Sequence, residues 1–430
     1  MRAGILTDRL AALVAERERV LEAFLDAEQD RLARACHDMA RAFHQGATLV
    51  PFGAGPAATD AAHVAVEFMH PVIVGKRALP ALAGIAGTAG DIALGISHRP
   101  GDVAVLEFLA TASRRDMLTI AFGAEPMDAD HSFVVPSEDP AIVQEVQETA
   151  YHVLWELVHV FFDHPALLED ACITCGDVAV EVDVVEVTGA GAVVRRGDAT
   201  DLVAIDLVPD AQPGDRLLCH AGVALEKLEA DPAAFLYPFM DAEKDDLDAV
   251  IADVRASTLR KGQDTIALRR GIDLAKVAAC GTAIRGALDS GGRLFAFGNG
   301  GSATDATDFA ADVRALALPA AALVDDVATV TAVGNDVGFD NVFARQLIPL
   351  GRTGDVAFAI STSGSSPNVL AALEEARRRA MVTCAITGYD GGRLAELDWL
   401  DHLIVVSGDY VPRLQEAQAT VYHLLLEQLR

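Results

Sequence analysis

The chain has 430 residues, 51% of them hydrophobic and 23% charged, a composition typical of a globular protein with two to four domains. Its formal net charge of −29 argues against a nucleic-acid partner, because phosphate-backbone binding needs clustered Lys and Arg. No stretch reaches about 18 uncharged apolar residues, so we expect no membrane span, no signal peptide and a cytoplasmic location.

Taken in chain order, residues 7–45 predict a long amphipathic helix pair, after which short apolar strands such as "TLVPFG" and "MLTIAFG" alternate with helices. The middle segment has short Val-rich runs in which apolar and polar residues alternate, separated by Thr-Gly and Pro-Gly-Asp turns. This pattern predicts a small antiparallel barrel. A second helix pair over residues 241–290 precedes more strands alternating with helices. The sequence therefore predicts an α/β protein in which two doubly wound parallel-sheet domains, residues 1–167 and 237–430, flank an all-β barrel domain, residues 168–236.

The two α/β domains are copies of each other. "FGAGPAATDAAHVAVEF" from Phe52 aligns without a gap with "FGNGGSATDATDFAADV" from Phe297, and two later segments align in the same order. The last of these pairs "VQEVQETAYHVLWEL" with "LQEAQATVYHLLLEQ", which aligns Gln144 with Gln415. The offset grows between the first and second segments, so the second copy contains an insertion there, in the region of "VGNDVGFDNVFARQ".

Two loops of the second copy predict a phosphate site. "FGNGGS" lies between a strand and a helix, where glycines let backbone N–H groups approach an anion at the helix N-terminus. "STSGSSPN" follows the next strand and brings five hydroxyl groups to the start of another helix. One such loop is equally typical of an ordinary helix cap, but two in consecutive strand–helix units converge on one sheet edge.

These motifs, together with "LQEAQATVYH", resemble the sugar isomerase (SIS) domain of phosphoheptose isomerases over essentially all of residues 240–430. The resemblance implies a phosphorylated sugar ligand and an isomerisation in which a base moves a proton between adjacent carbons through an enediol. It also implies that Asn299 and Asp336 approach the sugar. The hydroxyl groups implied to bind the phosphate are those of Ser302, Ser361, Thr362, Ser363 and Ser366.

The acid/base and metal residues that the resemblance implies differ between the copies. The family has His-x-x-x-Glu on the first helix of the sheet and Gln and His eight residues apart on the last. The first copy keeps this zinc-like set of metal ligands: His63, Glu67, Gln144 and His152. Of these, His63, Glu67 and His152 are also the catalytic candidates. The second copy offers a weaker set of metal ligands: Asp308, Asp312, Gln415 and His423. Of these, Asp312 and His423 are also catalytic candidates. Because Asp is one methylene shorter than Glu, the second copy favours phosphate binding over catalysis.

The first copy has lost most of the phosphate hydroxyls, with Ala57 in place of Ser302 and "SHRPGD" in place of "STSGSS". Arg99 can still hold a phosphate through bidentate hydrogen bonds. Gln144 and His152 are separated by about 12 Å along one helix, so one metal binds both only if each side chain leans far inward, or else the ligands come from different copies. SIS sites commonly lie at subunit interfaces, so the resemblance implies a composite site in a built-in dimer and a homo-oligomer of chains.

The middle segment resembles the hydrogenase-assembly chaperones of HypC/HupF type, from "CITCGDVAVEVDVVEV" through "PGDRLLCHAGVALEKLEAD". The resemblance implies an iron site at Cys172 and His220, and partners among hydrogenase maturation proteins or the hydrogenase large subunit. The family cysteine follows the initiator Met, whereas Cys172 is internal and is accompanied by Cys175, a spacing that also suits a metal or redox pair.

Three functions are compatible with these patterns. The first is a phosphosugar-binding accessory factor in nickel–iron hydrogenase maturation, which the near-complete chaperone pattern favours. The second is a metal-assisted sedoheptulose 7-phosphate isomerase, which His63 and Glu67 favour. The third is a noncatalytic SIS adaptor, which Asp308 and Asp312 favour.

Overall fold

The computed structural model describes residues 2–71, 73, 76–84, 86–168, 180–188, 191–196, 199–220, 222–228 and 247–430. The chain forms two compact units: a repeat unit of Met1–Phe162 with Ile251–Arg430, and a middle unit of Asp163–Val250. In the repeat unit, residues up to 162 are called the first repeat and residues from 251 the second repeat. Among the described residues, no helix is long and apolar enough to cross a membrane.

The first repeat is a four-stranded parallel sheet, ordered β1-β2-β3-β4, with helices on both faces. Its two central strands, β2 and β3, are almost fully buried, as expected of a parallel sheet covered on both sides. Asp139 caps the last helix by accepting the Ala141 N–H at 3.0 Å, and Pro140 occupies the first turn. The elements are α1 (Arg2–His44), β1 (Leu49–Gly53), α2 (Ala57–Met69), β2 (Ile92–Ile96), α3 (Val103–Ser113), β3 (Leu118–Gly123), β4 (His131–Val134) and α4 (Pro140–Phe161).

The second repeat has a five-stranded parallel sheet, ordered β11-β10-β12-β13-β14. It contains two helices, α8 and α9, in the insertion predicted from the sequence offset. The elements are α5 (Leu247–Arg270), α6 (Leu274–Asp289), β10 (Leu294–Phe297), α7 (Gly301–Ala315), β11 (Ala320–Ala322), α8 (Val327–Val337), α9 (Ala344–Leu350), β12 (Val356–Ser361), α10 (Pro367–Arg378), β13 (Val382–Thr387), β14 (His402–Val405) and α11 (Val411–Leu429).

These sheets confirm the predicted α/β class and the parallel, Rossmann-like domains. One detail differs from the sequence prediction: residues 7–45 form the single continuous helix α1 rather than a helix pair, because no Gly or Pro interrupts its apolar stripe. The other predicted pair is present as α5 and α6. Asp273 lies between the two helices and is the N-cap residue of α6.

The middle unit contains a five-stranded antiparallel sheet in the order β7-β6-β5-β8-β9. The two edge strands meet at one point, where Ala204 accepts the N–H of Ala224 at 2.8 Å and donates to Gly222 at 2.9 Å. The unit is thus all-β where it is described, while closure into a barrel stays a prediction. Its strands are β5 (Val180–Thr188), β6 (Gly191–Arg196), β7 (Ala199–Val203), β8 (Arg216–His220) and β9 (Val223–Leu228).

The repeats pack through equivalent helices, α2 against α7 and α4 against α11. The last helices exchange two sets of buried hydrogen bonds. Glu416 accepts from Nδ1 of His152 at 3.0 Å and from the Thr149 hydroxyl at 3.0 Å. Its repeat equivalent Glu145 accepts from His423 Nδ1 at 2.9 Å and from the Thr420 hydroxyl at 2.6 Å. The interface therefore has approximate twofold symmetry, and the helices that carry the predicted site residues are fixed at its centre.

Candidate active site between the two repeats

A cavity of about 270 Å³ lies between the repeats, and each repeat lines one side of it. The first repeat contributes Val66, Glu67 and His70 from α2 and its end. The second repeat contributes residues from the turns after β10, β12 and β13 and from the start of α11: Asn299, Gly300, Gly301, Ser302, Ser361, Thr362, Ser363, Ser366, Tyr389, Val411 and Gln415. The structure therefore brings the predicted hydroxyl loops and Glu67 to one cavity, which we call the composite cavity.

The hydroxyl loops of the second repeat are built to receive an anion. Ser302 and Thr362 place their hydroxyl oxygens 3.5 Å apart, and so do Ser361 and Ser366. Ser366 is the N-cap residue of α10, but its side chain makes no capping hydrogen bond, so the first amides of α10 lack a side-chain acceptor there. Free N–H groups at a helix N-terminus are a general anion site.

Two asparagine amides lock the first loop to α10. Asn299 donates to Oδ1 of Asn368 at 3.0 Å, and Asn368 donates back to Oδ1 of Asn299 at 2.8 Å. Asn299 thus lines the cavity, as predicted for a sugar-contacting residue, and it also sets the spacing of the loops. Sequence reasoning missed Asn368, although the "SSPN" motif contains it.

On the opposite side, α2 and α4 position three buried groups. His63 Nε2 lies 3.6 Å from Glu67 Oε1, one helical turn away. Nitrogen or oxygen atoms of His63, Glu67 and His152 lie within 4.8 Å of one another, and all three residues are at most 2% exposed. These three predicted site residues are therefore assembled at one point.

The protonation of this group follows from its contacts. Burial would lower the pKa of His63, but the hydrogen bond with Glu67 and the charges of Asp305, Glu67 and Asp60 outweigh it, and the pKa is raised. Burial would likewise raise the pKa of Glu67, but His63 outweighs it, and that pKa is lowered. Burial lowers the pKa of His152 against the opposing effect of Glu416. His63 and Glu67 therefore form an ion pair, while His152 is neutral with its Nδ1–H donated to Glu416.

The fourth predicted residue of this set, Gln144, lies elsewhere. Its amide nitrogen donates to Asp308 at 2.7 Å and to Asp60 at 3.2 Å. Its repeat equivalent Gln415 comes to the composite cavity instead, with Nε2 3.4 Å from His63 Nε2. Because α4 and α11 cross at the interface, each helix supplies its Gln and its His to different sites. Helix α4 thus brings His152 to the composite cavity, whereas the Gln there is Gln415 of α11.

The donor set fits a divalent metal such as zinc. Three buried atoms around the composite cavity have no hydrogen-bond partner: Glu67 Oε2, His152 Nε2 and Gln415 Oε1. Nδ1 of each histidine is already engaged, by the Tyr151 hydroxyl at 3.1 Å for His63 and by Glu416 for His152. For neutral His152 this hydrogen bond fixes the tautomer that leaves Nε2 free to bind a metal, whereas charged His63 would release its Nε2 proton when a metal binds.

A second cavity, of about 370 Å³, occupies the equivalent position on the other side of the interface. Its lining includes predicted site residues from both repeats, namely Arg99, Gln144 and Asp312. Asp308 is buried beside Gln144, and burial together with Asp60 raises its pKa well above the ordinary value. His423, the remaining member of the weaker set, bonds Glu145 through Nδ1 and leaves Nε2 without a hydrogen-bond partner.

The anion loop of this second cavity is already filled by carboxylates of the chain. Asp102, equivalent to Ser366, caps α3 by accepting the N–H of Val105 at 3.2 Å. Glu125 accepts the N–H of Gly101 at 2.6 Å. The equivalent amides of the second repeat, Ser365 and Val369, donate instead to the Ser363 hydroxyl at 3.3 Å and to the Ser366 carbonyl oxygen at 3.1 Å. Arg99 therefore faces a loop that repels a phosphate, and it lies apart from the composite cavity.

Asp336, the two cysteines and His220 complete the predicted site residues. Asp336 is exposed at the end of α8, where it accepts from Asn335 at 2.8 Å, and it does not line the cavity. Cys172 and Cys175 lie outside the described residues. His220 is the last residue of β8.

Comparisons with known proteins agree with this architecture. Residues 270–388 match the SIS domain family, and residues 178–237 match the HupF/HypC family. A phosphoheptose isomerase of Desulfovibrio desulfuricans is 46% identical over 158 residues, covering 35% of this chain and 71% of the relative. Another, of a Bradyrhizobium species, is 41% identical over 197 residues, covering 44% of this chain and 96% of the relative.

Similarity to a solved structure extends over both repeats. The C-terminal domain of glucosamine-fructose-6-phosphate aminotransferase from Francisella tularensis superposes with a TM-score of 0.55. The superposition covers 97% of this chain and 93% of that domain at 10% identity. At this identity the similarity shows the fold alone.

Proposed function

Because the chain belongs to the SIS-domain family, with two SIS repeats flanking a HupF/HypC-type domain, we propose that it interconverts the ketose and aldose forms of a phosphosugar in the composite cavity. The observation that carries this proposal is the meeting of Glu67 and His63 of one repeat with the hydroxyl loops of the other. Sedoheptulose 7-phosphate is the first substrate to test, since phosphoheptose isomerases are similar to this chain.

The phosphate of the substrate would be held by the second repeat. Hydroxyl groups of Ser302, Ser361 and Thr362 supply neutral donors, and the uncapped N-terminus of α10 supplies amide donors and a favourable helix dipole. Fixing the phosphate positions the sugar's carbonyl end toward α2 on the opposite wall. This positioning contributes to catalysis by turning proton transfer into a step within one complex.

Proton transfer would be carried out by the first repeat. Glu67 is ionised, and its Oε2 has no hydrogen-bond partner, so it can accept the proton from the carbon next to the carbonyl and return it to the neighbouring carbon. His63, charged beside Glu67, and neutral His152 can give and receive the proton that moves between the two sugar oxygens. Reaction through an enediol thus balances without any external oxidant or reductant.

A bound zinc ion would be held by Nε2 of His63 and His152, one carboxylate oxygen of Glu67 and the Gln415 amide oxygen. It would displace the Nε2 proton of His63 and, in place of proton transfer by the two imidazoles, would supply a Lewis acid for the developing oxyanion. These ligands come from both repeats. We therefore expect metal affinity to depend on the packing of α4 against α11 as well as on the ligands themselves.

The two cavities supply a matched experiment. Glu67→Gln should lower kcat for sedoheptulose 7-phosphate by at least about 100-fold, the usual scale of a general base, in the zinc-loaded full chain. Asp312→Asn, at the equivalent position in the second cavity, should leave kcat within about twofold of the parent. Equal losses in the two variants would contradict the composite site. No turnover by the zinc-loaded parent would remove the isomerase and, if the sugar phosphate still binds, would favour the noncatalytic adaptor.

A second function is favoured by the HupF/HypC match over residues 178–237. We propose that this domain acts in nickel–iron hydrogenase maturation, carrying iron at Cys172, Cys175 and His220 or docking a maturation partner. Anaerobic iron binding and hydrogenase activation in a host strain should both fall in Cys172→Ala. They should persist in Glu67→Gln, which disables the proposed isomerase. Unchanged iron binding and activation in Cys172→Ala would eliminate the iron role.

A further inference from the structure

A group of buried carboxyl groups lies behind the composite cavity, on the helices that pair across the repeats. Asp60 is on α2, Glu148 is on α4, and Asp305 and Asp308 are on α7; each is at most 6% exposed. Their charges act on one another, since the pKa of Glu148 is raised by burial first and then by Asp305 and Asp60 among its neighbours. Four carboxyl groups in one interior require protons or cations to balance them.

The nearby arginines are already committed to other carboxylates. Arg17 and Arg269 form ion pairs with Glu145 at 2.8 and 3.3 Å. Arg413 pairs with Glu416 at 2.8 Å and also contacts Glu156. Within the group itself, Asp60 is balanced in part by His98 at 3.0 Å, and Asp308 is bonded by Gln144. Glu148 and Asp305 are the members whose carboxyl oxygens include atoms without a hydrogen-bond partner: Oε1 and Oδ2.

Those two carboxyl groups converge with an imidazole. Oxygen atoms of Glu148 and Asp305 and a ring nitrogen of His63 lie within 4.8 Å of one another, and each residue is 2% exposed. Burial and the neighbouring carboxylates Asp60 and Glu67 raise the pKa of Asp305 to about 7, against the opposing charge of His63. Two carboxylate oxygens and one imidazole nitrogen at this spacing are of the types that hold a divalent cation.

The triad exists on one side of the interface only. The repeat equivalents of His63, Asp305 and Glu148 are Asp308, Asp60 and Ala419, so the other side lacks both the imidazole and the carboxylate of the last helix. Glu148 lies on a helix that is buried along nearly its whole length, where an unpaired carboxylate is strongly disfavoured and a ligand role would explain it.

The geometry points to a second metal site, made by His63, Glu148 and Asp305, that binds a divalent cation of the Mn²⁺ class. Two carboxylate oxygens and one nitrogen form a harder donor set than the two imidazoles, carboxylate and amide of the composite cavity. His63 belongs to both sets and has one ring nitrogen, Nε2, to offer, so the two sites cannot be filled at the same time. Glu148 is the residue whose removal tests the new site without touching the ligands of the first. The inference goes beyond the proposed isomerase, because it concerns binding and holds whether or not the chain turns over a sugar.

The test uses the full chain stripped with EDTA and reloaded with Mn²⁺ alone. Bound Mn²⁺ is measured by elemental analysis after gel filtration and by its EPR signal, and the thermal midpoint is measured with and without the ion. In a His152→Ala background, where the first set is incomplete, we expect Glu148→Ala, which copies Ala419, and Glu148→Gln to lose about one equivalent of Mn²⁺ and the associated midpoint shift. His152→Ala, which removes a ligand of the first set only, should keep that equivalent.

Two results would overturn the site. One is Mn²⁺ binding by both Glu148 variants with the stoichiometry and affinity of the parent. The other is a parent chain that binds no Mn²⁺, so that neither variant can lose any. Because neither readout depends on turnover, a failed isomerase assay and a failed second metal site are distinguishable.

Discussion

Replacing Glu145 by Gln should destabilise the repeat unit by about 3–5 kcal/mol, the cost of breaking a buried ion pair by removing one partner. Glu145 is fully buried on α4, and its carboxylate bonds Arg17 at 2.8 Å and lies 3.3 Å from Arg269. Gln preserves the size of the side chain and part of its hydrogen bonding to Thr420 and His423. The two guanidinium groups, both nearly inaccessible to water, would however lose their counter-charge.

The dependence of this loss on pH has a definite sign. Burial would raise the pKa of Glu145, but the charges of Arg17 and Arg269 and the hydrogen bond from His423 outweigh burial and hold the pKa well below its ordinary value of 4.5. A carboxylate with a lowered folded-state pKa stabilises the fold fully above its unfolded pKa, and the effect disappears as the pH falls toward the folded value. The gap between parent and Glu145→Gln should thus be constant from neutral pH down to 4.5 and shrink below it.

Urea unfolding followed by tryptophan fluorescence measures this gap. The chain has two tryptophans, and Trp155 is buried on α4 beside the network, so a Trp399→Phe background isolates the relevant signal. Glu374→Gln serves as the control because that side chain is 57% exposed on α10. A loss below about 1 kcal/mol, the scale of a surface pair, or a gap that is the same above and below pH 4.5, would refute the reasoning.

Other predictions concern the composite cavity. Ser366→Asp places at the start of α10 the carboxylate that Asp102 provides at the start of α3, so sugar-phosphate affinity measured by calorimetry should fall about tenfold or more, equivalent to about 1.4 kcal/mol. The reverse change, Asp102→Ser, should leave the affinity of the composite cavity unchanged. Gly301→Ala should lower kcat with little effect on folding, because a Cβ there would overlap the side chains of Gln415 and His63, and steady-state kinetics beside an unfolding curve separates the two effects. His152→Ala should weaken zinc binding by about 10-fold or more in a competition titration with a chelator, since it removes a ligand whose orientation Glu416 fixes.

The sequence supported the architecture because the repeat, the strand–turn–helix alternation and the hydroxyl loops are local patterns. It also indicated that Gln144 and His152, about 12 Å apart along one helix, share a metal only if both side chains lean far inward, or else that the ligands come from different copies. Which glutamine joins His63 depends on how α4 and α11 cross, a tertiary property that helical periodicity does not encode. The predicted role of Asp336 illustrates the same limit, since its motif is intact but α8 directs it to solvent in the single chain.

The residues that sequence reasoning missed share a physical reason. Glu145, Glu148, Asp305 and Glu416 are charged residues inside helices, a pattern more typical of a solvated surface than of an interior. The available signal was the conserved position of Glu145 and Glu416 in the two copies of one chain, each directly after the glutamine. A charge kept in both copies of a helix that is otherwise apolar indicates a buried partner, here the histidine of the opposite repeat.

Fusion of two repeats in one chain removes the constraint that both sites of a symmetric dimer be identical. In a homodimer, replacing Ser366 by an Asp that caps its own helix would close both anion loops at once, whereas here Asp102 closes one and leaves the other open. The same freedom allows Asp308 on one side where His63 stands on the other. If each repeat supplies half of one site, a single chain should bind one equivalent of sugar phosphate, and separating the repeats should abolish binding to either half because neither contains both the anion loops and the ionised Glu67.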